Sequence, residues 1–168
     1  VIPFKISLKH QKNHFGYLFQ LFLWVFYSIF FLNQKDFKVD LVLMKKISII
    51  IPFYNEKFVL ITFLDNLIPE LKKLKNKYSF EVILLDNNSN DGSSLDAINI
   101  AKKNNFIYKC QNRNFGYQAN ILTGYAICTG DAAIQINADG EDNPNLIYQF
   151  LDKWEEGFDV VYGVIVRR

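Results

Sequence analysis

The stretch KISIIIPF, residues 46–53, is an almost unbroken run of β-branched and apolar residues. A strand with one wet face alternates polar and apolar residues. A strand covered on both faces reads as continuous apolar sequence, the habit of parallel sheets wrapped by helices. From Met44 onward, strand signals recur between helix signals, the pattern of βαβ units. Pro52 closes the first strand. Between Phe58 and Lys77, Leu60, Leu64, Leu67, Leu71 and Leu74 keep helical spacing, and Pro69 is expected to kink that helix or split it. FEVILLD is the second strand, and the turn formers NNSNDGSS follow, where Ser93 or Ser94 can cap a helix running to about Asn104. FIYKC gives a third strand, YQANILTGYAICTGD a helix ending at Gly130, and AAIQI a fourth strand. PNLIYQFLDKWEEG is a helix with Pro144 near its first turn and Gly157 at its stop, and DVVYG is a fifth strand. The expected fold class is α/β: a Rossmann-like, mostly parallel sheet flanked by helices.

The chain has 168 residues, 50% hydrophobic and 21% charged, a globular rather than disordered composition. Its net charge of +2 is too small to argue for nucleic acid, and the grouped lysines read as solvated helix faces. Cys110 and Cys128 have neither metal nor redox spacing and are expected to be buried thiols in a reducing compartment. Met44, directly before KKISIIIPFYNE, is where the gene is expected to start. Within residues 1–43, the run Phe15 to Leu32 is 18 residues without a formal charge. Three readings stand open for it: upstream sequence read through in frame, a membrane anchor, or a buried helix. A signal peptide fits poorly, because no small-residue cleavage site follows. The final VVYGVIVRR reads as a strand and the start of a loop, so the domain over 44–168 is expected to be cut short at its carboxyl end.

In open α/β sheets, ligands bind outside the carboxyl ends of the strands. Polar groups gather there: YNE after strand one, DNNSND after strand two and NADGED after strand four. Asp139 and Glu141 flank Gly140, so an extended segment would turn both carboxylates, and Asn137, to one side. Hard oxygen ligands with no histidine nearby suit magnesium or manganese carrying a substrate's phosphates. Asp142 and Asn143 have the alternative of starting the next helix. Neither a G-x-x-x-x-G-K-[ST] loop nor a G-x-G-x-x-G turn is present, and His10 and His14 both precede Met44. NTPase, dinucleotide and serine–histidine chemistries are thereby disfavoured.

ISIIIPFYNE, VILLDNNSNDGS, NRNFGYQANILTGYAICTGDAAIQINADGEDNP and KWEEGFDVVYGV together resemble family 2 glycosyltransferases of the GT-A fold, within them the polyprenyl-phosphate branch. The resemblance covers essentially all of 44–168. It implies inverting transfer of a sugar from a nucleotide diphosphate sugar, UDP or GDP, to a polyprenyl phosphate, dolichyl or undecaprenyl. By resemblance, Pro52, Tyr54, Asn55 and Glu56 border the base and ribose, and the family's Asp-Asp pair falls on Asp86 and Asn87. Its D-x-D, with a Gln two residues on, falls on Asn137, Asp139 and Glu141, making Asp139 and Glu141 the expected catalytic carboxylates around a divalent cation. Arg113 and Asn114 match the family's R-N and would lie by the nucleotide.

Three departures stand out. Asn137 replaces an acid, with Glu141 in place of Gln restoring the charge. Tyr117 stands where a lysine is common. The arginine expected after YG falls on Ile165, leaving Arg167 and Arg168 as candidates for gripping the acceptor phosphate through their planar forks. The resemblance also implies attachment to the cytoplasmic face of a membrane, the bacterial plasma membrane, through parts beyond this sequence, without which the fragment is expected to be inactive. Two alternatives remain: a saccharide or protein acceptor, or a non-catalytic nucleotide-sugar module, the latter motivated by Asn87 and Asn137.

Overall fold

The computed structural model describes residues 44–164. The readings made above of residues 1–43 and of Arg167 and Arg168 lie outside them. Four parallel strands, β1 (Lys45–Phe53), β2 (Tyr78–Asp86), β3 (Ile107–Cys110) and β4 (Ala132–Gln135), form one sheet in the order β3-β2-β1-β4. Each neighbouring pair is parallel, with Phe53 registered on Asp86 and Asp86 on Cys110. Helices α1 (Leu60–Lys73), α2 (Ser93–Asn104) and α3 (Tyr117–Ile127) make the crossovers, and α4 (Leu146–Glu155) follows β4.

The β1 run is apolar because both its faces are covered. Ile47, Ile49, Ile51 and Phe53 join Val82 and Leu84 in a core closed by Leu60, Leu64 and Leu67 of α1, Ala97 and Ala101 of α2, and Ile147 and Leu151 of α4. Fully burying a leucine or isoleucine contributes about 1.5–3 kcal/mol, so this face anchors the fold. On the other face Ile50, Ile83 and Leu85 pack under α3. The helix comes this close because residue 124 is glycine: a Cβ there would sit 2.5 Å from Ile50 Cγ2 and 2.6 Å from Leu85 Cδ1. Asn120 of α3 adds a buried bond, its Nδ2 donating to the Leu85 carbonyl at 2.8 Å.

Several sequence expectations are corrected. Pro69 does not split α1; it lies inside one continuous helix on an exposed face, where no packing resists it. Neither Ser93 nor Ser94 caps α2. Gly92 holds the cap position, the Asp91 carboxylate accepts the Ser93 N–H at 2.9 Å, and the Ser94 hydroxyl donates to Asp86. Helix α3 stops at Ile127, since Cys128 is already extended. Residues 159–163 form no strand: they pair with no described segment, and Val160 and Tyr162 stay exposed. A strand exists by its ladder, and apolar sequence alone does not make one. Cys110 is exposed and Cys128 partly so, because one ends an edge strand and the other follows a helix end.

Candidate functional site

The register of the sheet brings the carboxyl ends of β1, β2 and β4 side by side, and their loops enclose a cleft of about 280 Å³. The β1 end contributes Pro52, Phe53, Tyr54 and Glu56, the β2 end Asn87, and the β4 end Asn137, Ala138 and Asp139. Asn114, Gly116, Tyr117 and Asn120, from the start of α3 and the loop before it, complete the wall.

Hydrogen bonds between loops set this arrangement. Asn55 adopts φ +58, its N–H donates to Ser89 Oγ at 3.0 Å, and its Oδ1 accepts the Asn90 N–H at 2.9 Å. Lys57 N–H is held by Asp91 at 2.9 Å. The first two loops are therefore laced together. Asp86 is fully buried. It accepts the Ser89 N–H at 2.8 Å, the Tyr108 hydroxyl at 2.7 Å and the Ser94 hydroxyl. Burial, then the bond to Asp86, pushes the Tyr108 hydroxyl well above its ordinary pKa, so it stays a donor. Asn87 extends the ladder through its N–H to the Phe53 carbonyl at 3.0 Å. Its side chain clamps the third loop, donating to Asn114 Oδ1 at 2.8 Å and accepting the Phe115 N–H at 3.1 Å. An amide has two N–H groups and two lone pairs, so Asn87 keeps one of each beyond those bonds.

After β4 the chain turns sharply. Asp139 Oδ1 accepts the Glu141 N–H at 3.0 Å, and Gly140 between them sits at φ +83, a conformation that disfavours other residues. The premise of an extended row is thus corrected: the turn sends Glu141 to the wall of a neighbouring hollow of about 620 Å³, with Thr62 and Glu70 of α1. Asp142 starts no helix; its Oδ2 accepts the Asn137 N–H at 2.9 Å and closes the loop, while Asn143 accepts the Asn145 N–H at 3.0 Å. Tyr117 Oη donates to Asn137 Oδ1 at 2.6 Å. Burial raises the Tyr117 pKa, aided by the charges of Asp142 and Asp139 and opposed by the hydrogen bond from Gln135.

Pro52, Tyr54, Glu56, Asn87, Asn137 and Asp139 therefore share one cleft, as the sequence suggested. Asn55 and Asp86 brace its loops without lining it, and Arg113 lies exposed over the Phe115 ring at 4.6 Å. Sequence reasoning missed Asn120, whose signal was a buried amide within α3, and the contact between Tyr117 and Asn137.

The cleft is negatively charged. Burial raises the Glu56 pKa, and the carboxylates of Asp139 and Asp91 raise it further. Asp139 Oδ2 has no hydrogen-bond partner among the described residues. No group of three or more His, Cys, Asp or Glu forms a cation cage among those residues. Magnesium and manganese need none when a substrate supplies phosphate oxygens: one or two carboxylates and retained waters suffice. Asp139, with Glu56 nearby, fits that donor set.

Comparisons with known proteins agree on kinship. The family described as "Glycosyl transferase family 2" matches residues 48–168. An uncharacterized glycosyltransferase of Synechocystis sp. is 38% identical over 120 residues, covering 70% of this chain and 37% of that protein. The undecaprenyl-phosphate 4-deoxy-4-formamido-L-arabinose transferase of Proteus mirabilis is 36% identical over 121 residues, covering 70% and 36%. The chain spans little more than a third of the length of these relatives. Among solved structures, a mannosyltransferase of Pyrobaculum calidifontis, in complex with GDP-Man and Mn2+, superposes with a TM-score of 0.51 at 23% identity, over 72% of this chain and 36% of that one. Glucosyl-3-phosphoglycerate synthase of Mycobacterium tuberculosis, bound to UDP, gives 0.51 at 20% identity, over 68% and 41%. At such identities the likeness is one of fold, and the fold is GT-A.

Proposed function

Because the chain belongs to glycosyl transferase family 2, we propose that it carries the donor side of an inverting transferase, which moves a sugar from a UDP or GDP sugar to a polyprenyl phosphate. One observation carries this reading: six residues picked for nucleotide or cation from sequence line a single cleft at the carboxyl edge of the sheet. The undecaprenyl-phosphate transferases among its relatives support the choice of acceptor.

The Tyr54 side chain, 41% exposed at the mouth of the cleft, offers an aromatic face to the base. Asn87 has one amide hydrogen and one lone pair left for the base edge or ribose. Asp86 is fully buried and off the cleft lining, holding Ser89, Ser94 and Tyr108, so in this reading the contact expected of it passes to Asn87. Asp139 would hold the divalent cation, magnesium or manganese, with Glu56 adding negative charge beside it. When bound, such an ion neutralises charge building on the leaving diphosphate. In the transfer, the bond from the anomeric carbon to the donor's phosphate oxygen breaks and a bond from that carbon to an acceptor phosphate oxygen forms. The nucleoside diphosphate leaves with the electron pair. The acceptor phosphate is already anionic, so positioning in the cleft does most of the work and no strong general base is required. This reading sets the protein at the cytoplasmic face of a membrane, the bacterial plasma membrane for an undecaprenyl acceptor. Among the described residues no helix is long and apolar enough to cross one.

The test is transfer of radiolabelled sugar from UDP and GDP sugars into lipid-extractable polyprenyl phosphate by the full-length enzyme, with manganese present. We expect label in the lipid, and a fall of about a hundredfold or more in Asp139→Ala, the scale at which a key charge-stabilising group is missed. Label appearing only on a saccharide or protein would favour the alternative acceptor. Transfer undiminished in Asp139→Ala would remove the cation role.

A further inference from the structure

Two of the positions at which this cleft departs from the family pattern, Tyr117 and Asn137, touch each other. Tyr117 Oη donates to Asn137 Oδ1 at 2.6 Å. Gln135 Nε2 donates to the same oxygen at 2.9 Å and to Tyr117 Oη at 2.9 Å. A carbonyl oxygen has two lone pairs, so two donors fill it. An aspartate here would keep a second anionic oxygen for a cation. Asparagine keeps only its NH2 group, a donor that repels cations and attracts anionic oxygen. Asn137 lines the cleft, its backbone N–H is fixed by Asp142 at 2.9 Å, and its Nδ2 bonds to no described residue. The three side chains form a closed triangle that holds the amide in one orientation.

We propose that Tyr117 and Gln135 lock Asn137 with its oxygen spent, so that residue 137 donates an N–H to the donor's phosphate oxygens and leaves cation binding to Asp139. Tyr117 is then a positioning residue, acting through Asn137, and the tyrosine and the asparagine are a matched pair. This rests on the nucleotide-sugar reading of the cleft. It sharpens the acid-to-amide change at 137 from a weakened metal ligand to a different contact. A hydrogen bond to an anion is stronger than one between neutral groups, so its loss is measurable in binding alone.

The experiment is calorimetric titration of the purified protein with manganese alone, then with UDP and with GDP in chelator, followed by both together. It compares wild type, Asn137→Ala, Tyr117→Phe, their double variant and Asp139→Ala. Asn137→Ala should leave manganese affinity within about twofold while weakening metal-free nucleotide binding about tenfold. Tyr117→Phe should weaken nucleotide severalfold in the wild-type background and less than about twofold on top of Asn137→Ala, the signature of a coupled pair. Rescue also discriminates: Asn137→Asp should tighten manganese binding about tenfold, since a carboxylate restores the anionic oxygen. Manganese affinity falling as far in Asn137→Ala as in Asp139→Ala would overturn the inference, as would independent, additive losses in the double variant. A wild-type protein that binds neither UDP nor GDP would overturn the donor-site reading itself. Normal wild-type binding with indifferent variants would overturn this inference alone. Tyr117 is 52% exposed, and thermal melting of each variant verifies that it is folded.

Discussion

At the scale of residues, the sequence named the acids of the cleft and its amides other than Asn120, and the structure reassigned their work. Tyr54, Asn87 and Asp139 were legible because chemistry gathers at strand ends in this class of sheet, and Pro52 through the family resemblance. Asp86 was legible as important but not in its role, since nothing in one sequence tells that Tyr108, 22 residues on, reaches back to it. Glu81 was not singled out at all. It lies on the α3 face of the sheet, where Ser48 donates to it at 2.7 Å, the Thr129 N–H at 2.8 Å and Lys46 at 3.0 Å. Burial pushes its pKa up, and the bonds from Ser48, Thr129 and Lys46 outweigh it, bringing the value from 4.5 down to about 2. A carboxylate with a depressed folded pKa stabilises the native state above its unfolded value and ceases to do so as pH falls through the folded one. Melting followed from about pH 6 to about pH 2 should therefore show stability lost below about pH 4.5, with a shallower acid limb in Glu81→Gln. An unchanged acid limb in that variant would mean that the network does not report on folding.

At the scale of elements, helical and strand periods were readable wherever both were long, and failed where an element depends on a partner. β1, β2 and α1 follow directly from apolar spacing, because burial on both faces or along one stripe selects it. The stretch 159–163 has the same composition as a strand and is none, for it has no neighbour with which to form a ladder. Pro69 shows the converse, a local breaker overridden by the burial of Leu64, Leu67 and Leu71 around it. It removes the backbone bond that residue 69 would give to the Asp65 carbonyl, and its exposed ring contributes no packing in return. Proline in a helix interior costs about 3 kcal/mol against alanine, of which up to about 1 kcal/mol is offset by restriction of the unfolded chain. Pro69→Ala is thus expected to stabilise the fold by about 2 kcal/mol in urea unfolding, with nucleotide affinity unchanged. A loss of stability would show that this turn of α1 is held by something other than the helical ladder.

At the scale of the whole molecule, parallel strands in the order β3-β2-β1-β4 gather three loops on one edge, and that single topological fact made the cleft foreseeable. What the sequence could not foresee was which way each loop turns once there. The left-handed Gly140 divides the acids after β4 between two hollows, with Asp139 facing the first and Glu141 the second. The central claim is that the first of these, between Tyr54, Asn87 and Asp139, receives the nucleotide diphosphate and its cation. The most direct measurement is a crystal structure grown with manganese and UDP or GDP, with anomalous scattering collected at the manganese edge. The account predicts a manganese peak bonded to Asp139 and to the diphosphate, with the base beside Tyr54 and Glu141 outside the coordination. Manganese and nucleotide found instead in the hollow between Glu70 and Glu141, or a nucleotide in the cleft with no contact from Asp139, would contradict it.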